Sequence, residues 1–165
     1  MMNIIPSFFI GRNEIVTDTK DFLTSTNTIA FAPVLGQVSD FANPGTTIHV
    51  NDVAKAHVLV LDPKIKGSQN FGMQSGKVDG NIWESSIDIV KKHFPDAVKD
   101  GRLPANGKQP TKRLLYDTSR TEQVFGMKFK SYEEQVVSVA AHYLELLEKA
   151  TGGKGGVSHG QPTGD

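Results

Sequence analysis

The five histidines, His49, His57, His93, His142 and His159, are the side chains of this sequence best suited to moving a proton or holding a metal near neutral pH. No pair of them shows the i, i+4 spacing by which one helix face grips zinc, and no carboxylate ligand pattern stands beside them, so no metal site is expected. His57 falls on the apolar face of a predicted helix and reads as a packed core side chain. Serine, histidine and aspartate all occur, but no Gly-x-Ser-x-Gly turn is present to raise a nucleophile above a sheet, so hydrolysis has nothing to carry it. A phosphate-bearing cofactor needs a glycine-rich turn between a strand and a helix, where backbone amides can approach the phosphates. Gly152-Gly153-Lys154-Gly155-Gly156 follows a helix, and Gly107-Lys108-Gln109-Pro110-Thr111 is interrupted by proline. Neither is read as a phosphate loop, and no catalytic residue is assigned.

One residue stands out for its position. Pro6 lies inside the apolar run Ile4-Ile5-Pro6-Ser7-Phe8-Phe9-Ile10, and proline removes a ladder donor that a central strand needs. Two readings are open: an edge strand or bulge, or a backbone that turns outward at the strand's end, where open α/β sheets place their ligands.

The elements that would hold these residues follow from spacing. The opening run is short, rich in isoleucine and phenylalanine and closed by Gly11, which predicts a buried strand. The chain thus starts inside a core element, as a piece of a longer parent would. Asp18 to Leu23 begins a modest helix; Ile29 to Leu35 is apolar but interrupted by Pro33 and closed by Gly36; Phe41 to Gly45 reads as loop. The β-branched Thr46-Thr47-Ile48-His49-Val50 reads as a strand, with Asn51 or Asp52 as N-cap of a helix from Val53 to Leu61. That helix shows an apolar face of Val53, Ala54, His57, Val58 and Leu61, and Asp62-Pro63 ends it. A short strand follows near Asn70 to Met73, and Trp83, Ile87, Val90 and Phe94 mark a helix stopped by Pro95. Asp96 to Pro110 reads as loop with one helical turn at Ala97, and Lys112 to Tyr116 as a strand. Ser119 with Glu122, and Ser131 with Glu134, match the capping box and predict two helices, a short one ending at Gly126 and a long one. Residues 151–165 are too poor in apolar surface to offset their ordering entropy and read as a disordered glycine-rich tail.

Bulk properties narrow the partners. Lysine plus arginine, 18, equals aspartate plus glutamate, 18, so no overall field draws the chain to nucleic acid or anionic lipid, and small neutral ligands fit better. The longest apolar run is far short of the ~20 residues that span a bilayer, and no signal peptide is evident. Cysteine is absent, which is compatible with a reducing compartment, and the cytoplasm is the expected location. At 165 residues one core suffices.

Taken together, Asn3-Ile4-Ile5-Pro6-Ser7-Phe8-Phe9-Ile10-Gly11, then His49-Val50-Asn51-Asp52-Val53-Ala54-Lys55-Ala56-His57, then a long C-terminal helix, resemble a known succession. It is that of the extended short-chain dehydrogenase/reductases of the NAD(P)-dependent epimerase/dehydratase type, closest to fungal relatives of the dihydroflavonol, cinnamoyl-CoA and aldehyde reductases. The resemblance covers about residues 2–149 and implies an α/β fold: the C-terminal, substrate-binding part of a Rossmann-type reductase, with few strands and several helices, over residues 1–150. It implies that Pro6, Ser7 and Phe9 line the nicotinamide end of an NAD(P) pocket, and that Arg12 and the segment around Phe22 face a small-molecule substrate. Asp52 matches the family's aspartate at the start of a helix, where N-capping explains it as well.

The family's chemistry rests on a Tyr-x-x-x-Lys pair that precedes the segment with which this chain opens. Tyr116 and Arg120 have the spacing but carry arginine for lysine and straddle a predicted strand-to-helix junction, so they are not counted. The expectation is a reductase fragment that neither binds NAD(P) nor turns over alone, its missing half supplied in the same or another chain. The competing reading is a non-catalytic small-ligand-binding or regulatory module that packs against a full-length relative.

Overall fold

The computed structural model describes residues 1–76 and 79–152, so residues 153–165 of the expected tail lie outside the described residues. The opening apolar run is two strands rather than one. β1 (Met2–Pro6) runs parallel to β5 (Gln69–Met73), and β2 (Phe8–Ile10) runs parallel to β4 (Thr47–His49). Between them the chain changes neighbour: Ser7 N–H donates to the Met73 carbonyl at 3.0 Å and Phe8 N–H to the Thr46 carbonyl at 3.3 Å. Pro6 is the last residue of β1. The run is also less buried than the sequence predicts, with Ile5 47% and Phe9 43% exposed. The cause is topological, since each of these sheets has only two strands and both strands are therefore edges. A third parallel pair joins β3 (Asn43–Pro44), in the expected loop, to β6 (Thr111–Lys112), the only ladder formed by the stretch read as Lys112 to Tyr116.

Helices pack around these strands. Asp18 caps a 3-10 turn over Thr19–Thr24, and α1 spans Asn27–Phe31. α2 (Val50–Leu59) starts immediately after β4, earlier than predicted, so its N-cap is His49 and neither Asn51 nor Asp52. Val50, read as strand from its β-branched neighbours, is already helical. The buried face of α2 is Asp52, Val53 and Ala56; Ala54, His57 and Val58 point outward, because apolar residues occur on both sides and periodicity alone picks the wrong one. α3 (Ser85–His93) follows the fully buried Trp83, and α4 (Pro95–Lys99) uses Pro95 as its first residue, where a missing N–H costs nothing.

α5 (Ser119–Phe125) ends at Gly126, which adopts φ 59°. Its N-cap is Thr118, and the expected Ser119–Glu122 capping box does not form. Instead Thr118 Oγ1 donates to the Gln74 carbonyl and Glu122 accepts from Phe129 N–H at 2.8 Å, so both side chains serve tertiary contacts. The Ser131–Glu134 box does form, and α6 (Tyr132–Ala150) runs from it. The larger core gathers α6, α3 and α1 around Trp83, Phe31, Val90 and Val136; the smaller joins β5, β4, α2 and α5 through Phe71, Ile48, Met73 and Phe125.

Candidate functional site

A cleft of about 710 Å³ opens at the carboxyl ends of β2 and β4, where parallel α/β arrangements commonly seat ligands. The start of α2, the first turns of α6 and the segment before α1 close its sides. Its floor is held by an asparagine. Asn27 is buried at the start of α1; its Nδ2 donates to the Gly11 carbonyl at 2.8 Å and its Oδ1 accepts from Gly11 N–H at 3.1 Å. Both backbone polar groups of the residue that follows β2 are thus satisfied by one side chain from 16 positions away. Gly11 adopts φ 149°, and a Cβ there would stand 2.9 Å from Val50 Cγ1, so only glycine fits the seam between the two strands.

His49 lies beside this floor, 3% exposed. Its Nδ1 accepts from Asn51 N–H at 3.0 Å as the cap of α2, which leaves the ring proton on Nε2. Burial, and then the nearby Lys130 ammonium, hold its pKa below the ordinary histidine value, so the ring is neutral. Asp52, one turn on, is also buried; its carboxylate accepts from Lys130 N–H at 2.7 Å and ties α2 to the residue just before the α6 cap.

Among the residues assigned from the resemblance, Phe9 and Arg12 both line the cleft. Arg12 N–H donates to Ser138 Oγ at 3.1 Å, while its guanidinium holds Glu14 at 2.9 Å and Glu145 through two nitrogens. These partners raise the Arg12 pKa further and hold the Glu145 carboxyl down to about 2. Pro6 and Ser7 lie at the strand switch, outside the cleft walls, and Ser7 Oγ is buried with no hydrogen-bond partner among the described residues. Phe22 does not reach the cleft: it is 2% exposed and packs against Phe31, Tyr143 and His142 at ring separations of 5.3, 5.0 and 5.6 Å.

His57, expected in the core, is exposed and donates from Nδ1 to the Val53 carbonyl. The buried histidines among the described residues are His49 and His142. Tyr116 lies before α5 and Arg120 on it; the phenol donates to the Ile5 carbonyl at 3.3 Å and the guanidinium bonds Gln69, so the two do not form a pair. Sequence reasoning passed over Asn27 and Lys130, and did not mark His49 as a site residue. Only His49 gave a local signal: it stands at a strand-to-helix junction.

No family model matches the chain. Among curated proteins, ketoreductase CTB6 of Cercospora beticola is 39% identical over 155 residues, covering 92% of this chain and 43% of the relative. The NAD-dependent epimerase/dehydratase ALT6 of Alternaria alternata is 26% identical over 157 residues, covering 88% of this chain and 44% of that protein. In fold, the chain matches the crystal structure of Gre2 from Candida albicans in complex with NADPH with a TM-score of 0.62, at 23% identity, over 87% of this chain and 43% of that one. The chain therefore spans less than half the length of the relatives it matches. In sequence and fold it is similar to the C-terminal part of reductases of the extended short-chain dehydrogenase/reductase type.

Proposed function

We propose that this chain is the substrate-side part of an NAD(P)-dependent reductase that converts a carbonyl of a small organic molecule to an alcohol, and that it needs the nucleotide-binding part to act. The observation that carries the reading is the 39% identity to a ketoreductase across 92% of the chain. The cleft at the ends of β2 and β4 supports it by setting an apolar wall of Phe9, Val50 and Val137 against polar side chains, among them a neutral histidine at the floor.

The fit to a nicotinamide cofactor is partial. Ser7 offers a buried hydroxyl without a partner and Phe9 a half-exposed ring, so these two, with Pro6 fixing the turn between them and β1, would meet the nicotinamide end. The sequence has no Gly-x-Gly-x-x-Gly pattern to cradle the pyrophosphate, which must be held elsewhere. NAD(P)H would supply the hydride. The residues of this chain position the carbonyl compound and exclude water from it. The unpaired edge of β1 and the exposed Ile5 are where the nucleotide-binding part would continue the sheet, within one polypeptide or from a full-length relative.

The test is a hybrid in which residues 1–152 replace the matching part of the Cercospora beticola ketoreductase. NADPH oxidation with a panel of aryl and alkyl ketones is expected from the folded hybrid and not from the chain alone. A folded hybrid that binds NADPH yet reduces no ketone would favour the non-catalytic module.

A further inference from the structure

We infer that His49 is the specificity donor of the cleft: its Nε2–H donates to an acceptor oxygen of a small ligand whose apolar frame rests on Phe9, Val50 and Val137. Three observations converge. The Nδ1 atom is committed as the acceptor of Asn51 N–H, so the tautomer is fixed by the fold and does not depend on a ligand. Nε2 lies on the floor of the cleft beside Gly11, 3.4 Å from where a Cβ on that glycine would sit, and the absent Cβ is what leaves the nitrogen accessible. No hydrogen bond from Nε2 forms among the described residues, so on a residue that is otherwise buried this N–H faces the cleft with its donor capacity free for a ligand.

The charges that face the ring keep it a neutral donor. Lys130 stands close enough to oppose protonation more strongly than Asp52 or Glu134 favours it. Those two carboxylates are engaged, Asp52 with Lys130 N–H and Glu134 with Ser131 in the cap of α6. Lys130 itself makes no ion pair among the described residues, so the unspent capacity at this end of the cleft is for donating. A ligand must therefore bring an acceptor: a ketone, ester, ether or phenol oxygen.

The inference deepens the reductase reading by naming the chemistry of the substrate, and it is tested by binding alone, without cofactor or turnover. The probes are acetophenone and α-methylstyrene, which share a shape and differ by oxygen against methylene. Imidazole 15N spectra of the free chain should show His49 protonated at Nε2 only. Acetophenone should shift that nitrogen and bind about three- to tenfold tighter than α-methylstyrene, the worth of one net hydrogen bond. His49→Asn keeps an N-cap acceptor for Asn51, but its shorter side chain carries no N–H out to the place of Nε2, and it should bring the two affinities within about twofold at an unchanged melting temperature. A proton on Nδ1, equal affinities in the unaltered chain, or acetophenone binding that leaves Nε2 unshifted would overturn the inference. Any of these would leave the hybrid's turnover to judge the reductase reading, and a silent hybrid would leave the binding preference standing.

Discussion

Asn27 shows how much of the cleft depends on a single side chain. Replacing it with alanine leaves the Gly11 N–H and carbonyl without partners inside the protein, and each such group costs about 1–3 kcal/mol. Asn27→Ala should therefore lower stability by about 2–6 kcal/mol in a urea titration; a loss below about 0.5 kcal/mol would show that water replaces the side chain at no cost. The sequence could not reveal this pairing, because Asn27 and Gly11 meet only after the chain has closed a loop of 16 residues. Phe9 and Arg12 line the cleft, whereas Phe22, assigned with them from the resemblance, packs in the aromatic core. His57 illustrates the same limit. A histidine among apolar residues at helical spacing reads as core, and only the packing partner of α2 decides which side is covered.

Helix starts separate what local chemistry decides from what tertiary contacts override. Ser131 and Ser119 carry the same motif, yet only Ser131 forms a reciprocal cap. Ser131→Ala should cost about 1 kcal/mol, and Ser119→Ala should stay within about 0.5 kcal/mol, as an exposed residue that caps nothing does. Comparing the urea midpoints of the two variants checks this, and equal losses would contradict the assignment of α5's cap to Thr118. Most elements were legible in the sequence: β5, the helix after Trp83, the stop at Gly126 and the length of α6 all follow from spacing and terminators. The division of the first run into β1 and β2 was not. Its apolar pattern is continuous, and the break arises because two different strands, β5 and β4, capture its two halves.

Among the described residues two histidines, His49 and His142, are buried, and burial lowers the pKa of both. Between their folded values and the ordinary 6.5 the unfolded chain binds more protons than the folded one, so their contribution to stability is complete above 6.5 and falls as the solution is acidified. Glu133 and Glu145, held near 2 by their cationic partners, add a second loss as pH drops below 4.5. The melting temperature should hold steady from about pH 8 to about pH 7 and then decline toward about pH 5; a flat profile across that range would mean that neither histidine is buried in solution. The open edge of β1 has the larger consequence under the proposed function, which has a nucleotide-binding part continue the sheet there. The most direct test of that account is a nicotinamide fluorescence titration of NADPH and NADH into the chain alone and into the ketoreductase hybrid. The account predicts no saturable signal from the chain and a saturable one from the hybrid, whereas tight binding of either nucleotide by the chain alone would contradict it.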